Sequence, residues 1–351
     1  MFQPVASLIM PLYNTGPLLH DTVASVLAQT FRDFELILVD DSSTDDTVKR
    51  AQAISDPRVR LIRRAQNGGV AAATNDGYAA ARGRYIVPAD HDDVLMPGRL
   101  ACEIAFLEAH PELDGVGAGH VILSRSNVWD KLRAMRKACF SRHIPYTVVS
   151  AASLWGGILF NSTLCFRRSV LDRVPQWWDS HLSVGSDDEF FGRIIAAGCR
   201  FHILPDVVLR YRRYSGNLSR RSRERSAAAH VQVALEGLAR VLPDATEEER
   251  TLHCRLALRD RTLQPADLVG LQALFERMHE AVTDVPWLDE KGLLVMMARH
   301  WSRACALAAC HDFRAGLHAY YSFPLLRPYV GSLLFILSQW QKRQTSAMFG
   351  H

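Results

Sequence analysis

The sequence predicts an α/β protein in which residues 1–225 build a mixed, mostly parallel sheet and residues 226–351 form a C-terminal α-helical region. Three observations predict it. Short apolar runs alternate with helical stretches through the first hundred residues, the pattern of parallel strands joined by crossover helices. Acidic clusters stand directly after two of those runs, where a parallel sheet offers its carboxyl ends to ligands. From about Ser226 onward the apolar residues recur at helical spacing instead. At 351 residues and 48% hydrophobic, the chain can bury the core of one large domain and a smaller appendage.

In chain order, ASLIMP from Ala6 reads as a strand, Leu18 to Gln29 as a helix and ELILVD from Glu35 as a second strand. A helix near Asp46 to Ile54, the strand VRLIR from Val59, a helix from Val70 to Ala81 and the strand RYIVP from Arg84 follow. Runs as continuously apolar as ELILV belong to sheets covered on both faces. Beyond Pro111 the pattern is mixed. DGVGAGHVIL from Asp114, SLWGGILFNSTLCFRR from Ser153, a helix around Glu189 to Ala197 and CRFHILP from Cys199 extend the sheet. LEGLARVL, LVGLQALFERM and GLLVMMARHWSRACALAA are the striped segments of the helical appendage.

Composition removes several function classes. A net charge of +4 is mild, and the one basic cluster lies between Arg210 and Arg225, so no nucleic-acid partner is expected. Seven cysteines without a CxxC pair cannot complete a disulfide framework, which fits a reducing cytoplasm. The N-terminus shows no secretory signal, and no apolar run reaches membrane-spanning length. The nearest approach, Tyr329 to Leu337, reads as a buried or docking helix, with peripheral membrane contact as the alternative. GVGAGH from Gly115 lacks the last glycine of a dinucleotide fingerprint, and no P-loop is present.

Asp90, Asp92 and Asp93 put three carboxylates within four residues, a crowding that a cation or a proton relieves. Oxygen ligands suit Mg²⁺ or Mn²⁺ better than zinc. Other motifs surround this cluster. PLYN spans Pro11 to Asn14 and VDDSSTD spans Val39 to Asp45, with SVLAQTFRDFELILVDD between and into them. Asn67, Gly69, Ala73, Asn75 and Gly77 follow in N-x-G-x-x-x-A-x-N-x-G spacing, then GRYIVPADHDD. In this order the four motifs resemble those of family 2 glycosyltransferases, over roughly the first two-thirds of the chain.

The resemblance implies a GT-A fold and an inverting, metal-dependent transfer of sugar from a nucleotide diphosphate, most simply a UDP-sugar, to a hydroxyl acceptor in surface polysaccharide or glycoconjugate synthesis. It implies that Asp41 hydrogen-bonds uracil, with Pro11 and Tyr13 lining that pocket and Asn14 and Asn67 in the same nucleotide-sugar site. It puts Asp92 on the metal and Asp90 nearer the ribose. SVGSDDEFFGRIIAAG, Ser183 to Gly198, resembles the family's E-D-x-x-x-x-x-R segment, which makes Asp187 the catalytic base and Arg193 its companion, although Ser186 stands where the family carries Glu and Asp188 competes. LRYRRYSGNLS, from Leu209, resembles the family's Y-R-x-H-x-x-x-x-S segment, with Tyr214 in the histidine's place. Arg212 and the arginines at 220, 221, 223 and 225 then suit a loop over the diphosphate, or a solvated linker.

Structural readings stand beside these. Ser43 and Asp45 suit a cap on the helix near Asp46, and Ser186 with Asp187 suits the N-cap of the helix that follows. Asp90 to Val94 also satisfies the D-x-D-x-[TV] nucleophile motif of haloacid-dehalogenase-like phosphohydrolases, and a catalytically silent nucleotide-binding scaffold is a further alternative. The helices from 226 onward are expected to serve acceptor access, membrane docking or self-association. A lipid-linked glycan acceptor at the inner membrane face would suit the basic residues Arg327, Lys342 and Arg343.

Overall fold

The computed structural model describes residues 3–123, 142–182, 184–214, 217 and 223–329. They divide into two compact units, one of residues 1–146 and 158–226, the other of Thr147–Gly157 with the chain from Ala227 onward.

The first unit is built on an eight-stranded sheet. Its strands are β1 (Ala6–Leu12), β2 (Phe34–Asp40), β3 (Val59–Arg63), β4 (Tyr85–Pro88), β5 (Val94–Leu95), β6 (Gly115–Leu123), β7 (Cys165–Arg167) and β8 (Phe201–Arg212), in the order β3-β2-β1-β4-β7-β6-β8-β5. The first four pair in parallel, β7 is antiparallel to both β4 and β6, and β8 runs parallel to β6. Every residue of β2 is buried, as its unbroken apolar run requires of a strand covered on both faces. The helices α1 (Leu18–Leu27), α2 (Thr47–Gln52), α3 (Gly69–Ala80) and α4 (Arg99–Ala109) alternate with the strands. The sequence locates these elements to within two residues, except α4 and the short β5, which it does not anticipate, and β7 and β8, whose extents differ.

Two expectations are corrected. SLWGGILFNSTLCFRR contributes only the three residues of β7, because Gly156 and Gly157 take φ of 90° and 79° and break any extended run. The remainder forms two short 3-10 turns, Ser153–Trp155 and Asn161–Thr163. The other correction concerns β8, which passes Pro205 to end at Arg212. Its register on β6 shifts between Gly117 and Gly119, which accommodates a residue with no N–H to donate.

The packing of α3 on the sheet explains one glycine of the sequence motif. A Cβ built at Gly77 would lie 2.2 Å from Cγ2 of Ile9 and 3.3 Å from Cγ2 of Val39, on β1 and β2. Only a residue without a side chain lets the helix come this close.

The second unit is helical, with Arg223–Ala239, Glu247–Ala257, Asp267–Ala281, Glu290–Ala308 and Phe313–Ser322 as its helices, the first of them starting just before the unit boundary. Thr147–Gly157, inside the range 1–225, clusters with these helices. Glycines permit it: a Cβ at Gly237 would lie 2.7 Å from the Leu154 carbonyl oxygen, and one at Gly292 2.0 Å from that of Thr147. Trp155 then stacks on His253 and His300, with ring centroids 5.2 and 4.5 Å away. His253 is fully buried, and burial pushes its pKa down to about 4. Among the described residues no helix is long and apolar enough to cross a membrane. Six cysteines lie among them, all as free thiols.

Two predictions follow from this packing. Gly77→Ala should destabilise the chain by about 1–3 kcal/mol through overpacking against Ile9, read from the urea midpoint. His253 binds its proton more weakly folded than unfolded, so its contribution is complete above the ordinary histidine pKa of 6.5 and is lost as pH falls towards 4. Melting curves between pH 7 and pH 4 should show a loss on the order of 3 kcal/mol from this group, and His253→Phe should flatten that slope.

Candidate active site

Strand direction gathers the chemistry. Because β7 reverses between β4 and β6, the carboxyl ends of β1, β2, β4, β6 and β8 all emerge at one edge of the sheet. Tyr13 and Asn14 leave β1 there, Asp41 leaves β2, Asp90 to Asp93 follow β4, and Arg212 closes β8. Such an edge is where open α/β sheets take ligands.

At the β2 end the Asp41 side chain is buried and collects three donors. The N–H of Gly68 reaches Oδ1 at 2.9 Å, that of Gly69 reaches Oδ2 at 2.8 Å, and the Arg64 guanidinium also donates to Oδ1. Arg64 simultaneously bridges to Asp76 at 2.7 Å. Asp41 therefore serves the N-terminus of α3, where a negative charge is stabilised by unpaired amides and the helix dipole. Asn67 donates from Nδ2 to the Asp41 carbonyl at 3.0 Å. Asn14, at φ 48°, accepts the Thr44 N–H at 2.9 Å and donates its own to Ser43 Oγ at 3.1 Å. Ser43 is thereby turned towards Asn14, whereas Asp45, one residue before the N-cap Asp46, accepts the Thr47 N–H at 2.9 Å. Pro11 is partly buried, and Tyr13 stands 48% exposed beside this corner.

At the β4 end each carboxylate is held by a different partner. Ser162 donates its hydroxyl to Asp90, Asn217 donates from Nδ2 to Asp92 at 3.1 Å, and the Arg212 N–H meets Asp93 at 2.8 Å. The second oxygen of Asp93 is buried without a partner among the described residues. Burial and the neighbouring charge of Asp92 push Asp90 up to about 6, and burial with the charge of Asp90 pushes Asp93 up to about 8. His91 turns away, its Nδ1 3.3 Å from the Pro11 carbonyl. The Arg212 guanidinium braces this turn, donating from Nε to the Asp92 carbonyl at 2.9 Å and lying 3.4 Å from Asp21. Arg220 and Arg221 lie outside the described residues, and Arg225 is in the first turn of the helix from Arg223.

Asp187 and Asp188 are in the first turn of the helix Ser186–Ala196, whose N-cap is Gly185 at φ 78°. The Ser186–Asp187 cap is not formed, because the left-handed glycine starts the helix one residue earlier. Both aspartates keep partial exposure, so a ligand can reach them. Burial nevertheless raises the Asp187 carboxyl, against the backbone N–H groups of Asp188 and Asp187, and raises Asp188 well above the usual range, with help from the charge of Asp187. The Asp187 charge also acts on Asp90, so the expected base and the acidic cluster share one electrostatic neighbourhood. Arg193 grips Glu189 and the carbonyls of Gln176 and Trp177. Asn75 on α3 clamps the Trp178 backbone from both sides, at 2.8 and 3.0 Å. Arg193 thus fixes the loop beneath the base.

Three partners escape a reading of the sequence. Asn217 has a local signal, since its side chain also accepts the Tyr214 N–H at 2.8 Å and closes a turn that YSGN suggests. Arg64 has one too, immediately after the strand VRLIR. Ser162 has none, standing 72 residues from Asp90.

A mostly parallel sheet with a buried carboxylate after β2 and an acidic cluster after β4 has the GT-A architecture of nucleotide-diphospho-sugar transferases. Residues 7–174 match the family described as glycosyl transferase family 2, and this stretch of the chain belongs to that family. The phosphohydrolase alternative falls with this, since its nucleophile would follow the first strand of a domain and Asp90 follows the fourth. The succinoglycan biosynthesis protein ExoO of Rhizobium meliloti is 30% identical over 224 residues, 62% of this chain and 63% of its own. The matched stretches span 12%, 46% and 63% of the lengths of three curated relatives, ExoO being the last. Among solved structures, S. aureus TarS 1-349 in complex with UDP covers 99% of this chain and 92% of its own, at 16% identity and a TM-score of 0.56. The mannosyltransferase PcManGT of Pyrobaculum calidifontis, in complex with GDP-Man and Mn²⁺, covers 98% and 88% at 18% identity and a TM-score of 0.50.

The Asn217 side chain joins Asp92, the Arg212 carbonyl and the Tyr214 N–H. Asn217→Ala leaves all three without it, and the urea midpoint should fall by the equivalent of about 1–3 kcal/mol.

Proposed function

We propose that the chain is an inverting glycosyltransferase that moves a sugar from a UDP-sugar to a hydroxyl acceptor, with a divalent cation, in the synthesis of a surface polysaccharide or glycoconjugate. The observation that carries it is the single sheet edge shared by Asp41, the Asp90 to Asp93 cluster and, through its charge on Asp90, Asp187. The relation to a succinoglycan biosynthesis protein supports the polysaccharide setting, and the GDP-Man and Mn²⁺ bound to a structural neighbour support the donor class and the metal.

The donor set fits Mg²⁺ or Mn²⁺. Among the described residues no three acidic, histidine or cysteine side chains converge into a complete cage. These cations characteristically take one or two carboxylates and complete their shell with substrate phosphates and water. Asp92 would hold the cation, with Asp90 beside it, and the Asp93 oxygen without a partner among the described residues lies in the same turn. When bound, the cation supplies positive charge to the departing diphosphate.

The chain's own groups do the rest. A carboxylate offers about four lone-pair sites. Three at Asp41 are taken, and the fourth can accept the N3–H of uracil, a donor that cytosine lacks. Asp187, raised by burial and without a salt bridge among the described residues, suits a general base. It takes the proton of the acceptor hydroxyl as that oxygen bonds to the anomeric carbon, and the electron pair of the breaking C–O bond leaves with the diphosphate. One displacement on the opposite face inverts the centre and needs no second carboxylate.

The reading extends to a cytoplasmic location, with a lipid-linked glycan at the inner membrane face as one acceptor class. Arg327 is exposed, whereas residues 330–337, Lys342 and Arg343 lie outside the described residues.

Calorimetric titration should find UDP bound in Mn²⁺ and much weakened in chelator, with CDP inferior to UDP; equal affinities in all three would defeat the reading. With a donor and acceptor in hand, Asp187→Asn should lower turnover by roughly a hundred- to ten-thousandfold while UDP affinity holds, and Asp188→Asn should not. A chain that binds UDP yet transfers no sugar from any donor would instead be a silent scaffold.

A further inference from the structure

The sheet edge carries a second surface that the donor reading does not use. In the first unit Tyr13 and Ile122 are the only exposed large hydrophobic side chains among the described residues, at 48% and 47%. Both lie at the carboxyl ends of strands, Tyr13 beside β4, where the acidic turn begins, and Ile122 on β6, between β4 and the β5 strand where that turn ends. Tyr13 follows β1, beside the Asp41 corner. Ile122 is near the end of β6, two places beyond β4 in the order β4-β7-β6. Arg212, whose N–H holds Asp93, is the register partner of Leu123, so Ile122 is one residue along β6 from the strand position that carries the cluster.

Ile122 has aromatic company. It pairs with Tyr211 across β6 and β8, and His120 pairs with Leu209, so His120, Ile122 and Tyr211 share a face of the sheet. His120 stacks on Phe160 with centroids 4.4 Å apart and planes at 24°, and Tyr211 meets Phe160 edge-on at 5.5 Å. All three rings are half-buried. Phe160 is anchored against the hydrophobic core below. Backbone ties couple this patch to the reaction centre from both directions: Phe160 is two residues before Ser162, which holds Asp90, and Tyr211 precedes Arg212, which holds Asp93 and Asp92.

Resting on the donor reading above, we propose that Ile122, Tyr211, Phe160 and His120 form the acceptor subsite, a platform for the apolar face of a pyranose ring. The spatial order supports this. A donor laid from Asp41 to Asp92 ends at the cluster, and the Ile122 surface beside it is apolar and aromatic. A pyranose offers a face of C–H groups to aromatic carbon and directs its hydroxyls sideways, one of them towards the cluster. Open-chain polyols have no such face. The acceptor class is therefore a glycan terminating in a pyranose.

Saturation-transfer NMR on the full chain loaded with UDP and Mn²⁺ tests this, with methyl β-D-glucopyranoside as the probe and ribitol as the ring-free control. The glycoside should bind and ribitol should not. Ile122→Asn, at an exposed position that tolerates polarity, and Phe160→Ala should each weaken the glycoside about fivefold or more, while Tyr211→Phe keeps binding because the ring remains. UDP affinity should be unchanged in all three. Absence of glycoside binding to the UDP-loaded chain, equal binding of ribitol, or wild-type glycoside affinity in both Ile122→Asn and Phe160→Ala would overturn the subsite. Failure of the wild-type chain to bind UDP would overturn the donor reading, and the subsite with it.

Discussion

Everything at the functional edge depends on keeping several carboxylates close together in a poorly solvated place. Asp90 and Asp93 sit above the usual carboxylate range because burial disfavours their charge and each is pressed by a neighbour, and Asp187 adds to the pressure on Asp90. Left to itself such a cluster would protonate or open. Each member is instead tied to a separate part of the unit, by Ser162 before β7, by the Arg212 amide at the end of β8 and by Asn217 beyond it. The strands that support those ties must keep their register for the cluster to exist.

That dependence gives β4, β7, β6 and β8 their purpose. Arg99, buried at the start of α4, donates to the carbonyls of Pro88 on β4 at 3.3 Å and Leu164 before β7 at 3.0 Å, and pairs with the equally buried Glu103. Burial pushes Glu103 up to about 7 against the pull of Arg99. A buried pair of this kind is a weak source of net stability. Its geometric effect is to lock the end of β4, from which Asp90 departs, to the antiparallel strand that reverses the sheet. Because β7 is antiparallel to both of its neighbours, β6 and β8 keep the direction of β4, and their carboxyl ends share the edge with those of β1, β2 and β4.

Asp41 illustrates how one carboxylate can join several elements of the fold. Its three donors hold the end of β2 to the start of α3, and α3 in turn lies against β1 and β2 at Gly77 and reaches the Trp178 loop through Asn75. The motif N-x-G-x-x-x-A-x-N-x-G is in this light a packing and clamping element along one helix. The two aspartates divide locally: Asp45 accepts the Thr47 N–H at the start of α2, and Asp41 serves the start of α3.

The alternation of apolar strands and helices, the acidic residues at strand ends and the motif order were legible in the sequence because each is a local pattern, set by side-chain period, turn chemistry and the backbone needs of glycine. They determined the α/β class, the family and the positions of Asp41, Asp90, Asp92 and Asp187. What only the tertiary structure decided are the relations between distant residues: that Thr147–Gly157 belongs with the helical unit, that Ser162 and Asn217 hold the cluster, that Arg212 braces a turn, and that His120, Phe160 and Tyr211 meet beside Ile122. The physical reason is that these contacts arise from strand order and from the reversal at β7, and hydrogen bonds between residues 72 or 125 positions apart leave no periodic or compositional trace along the chain.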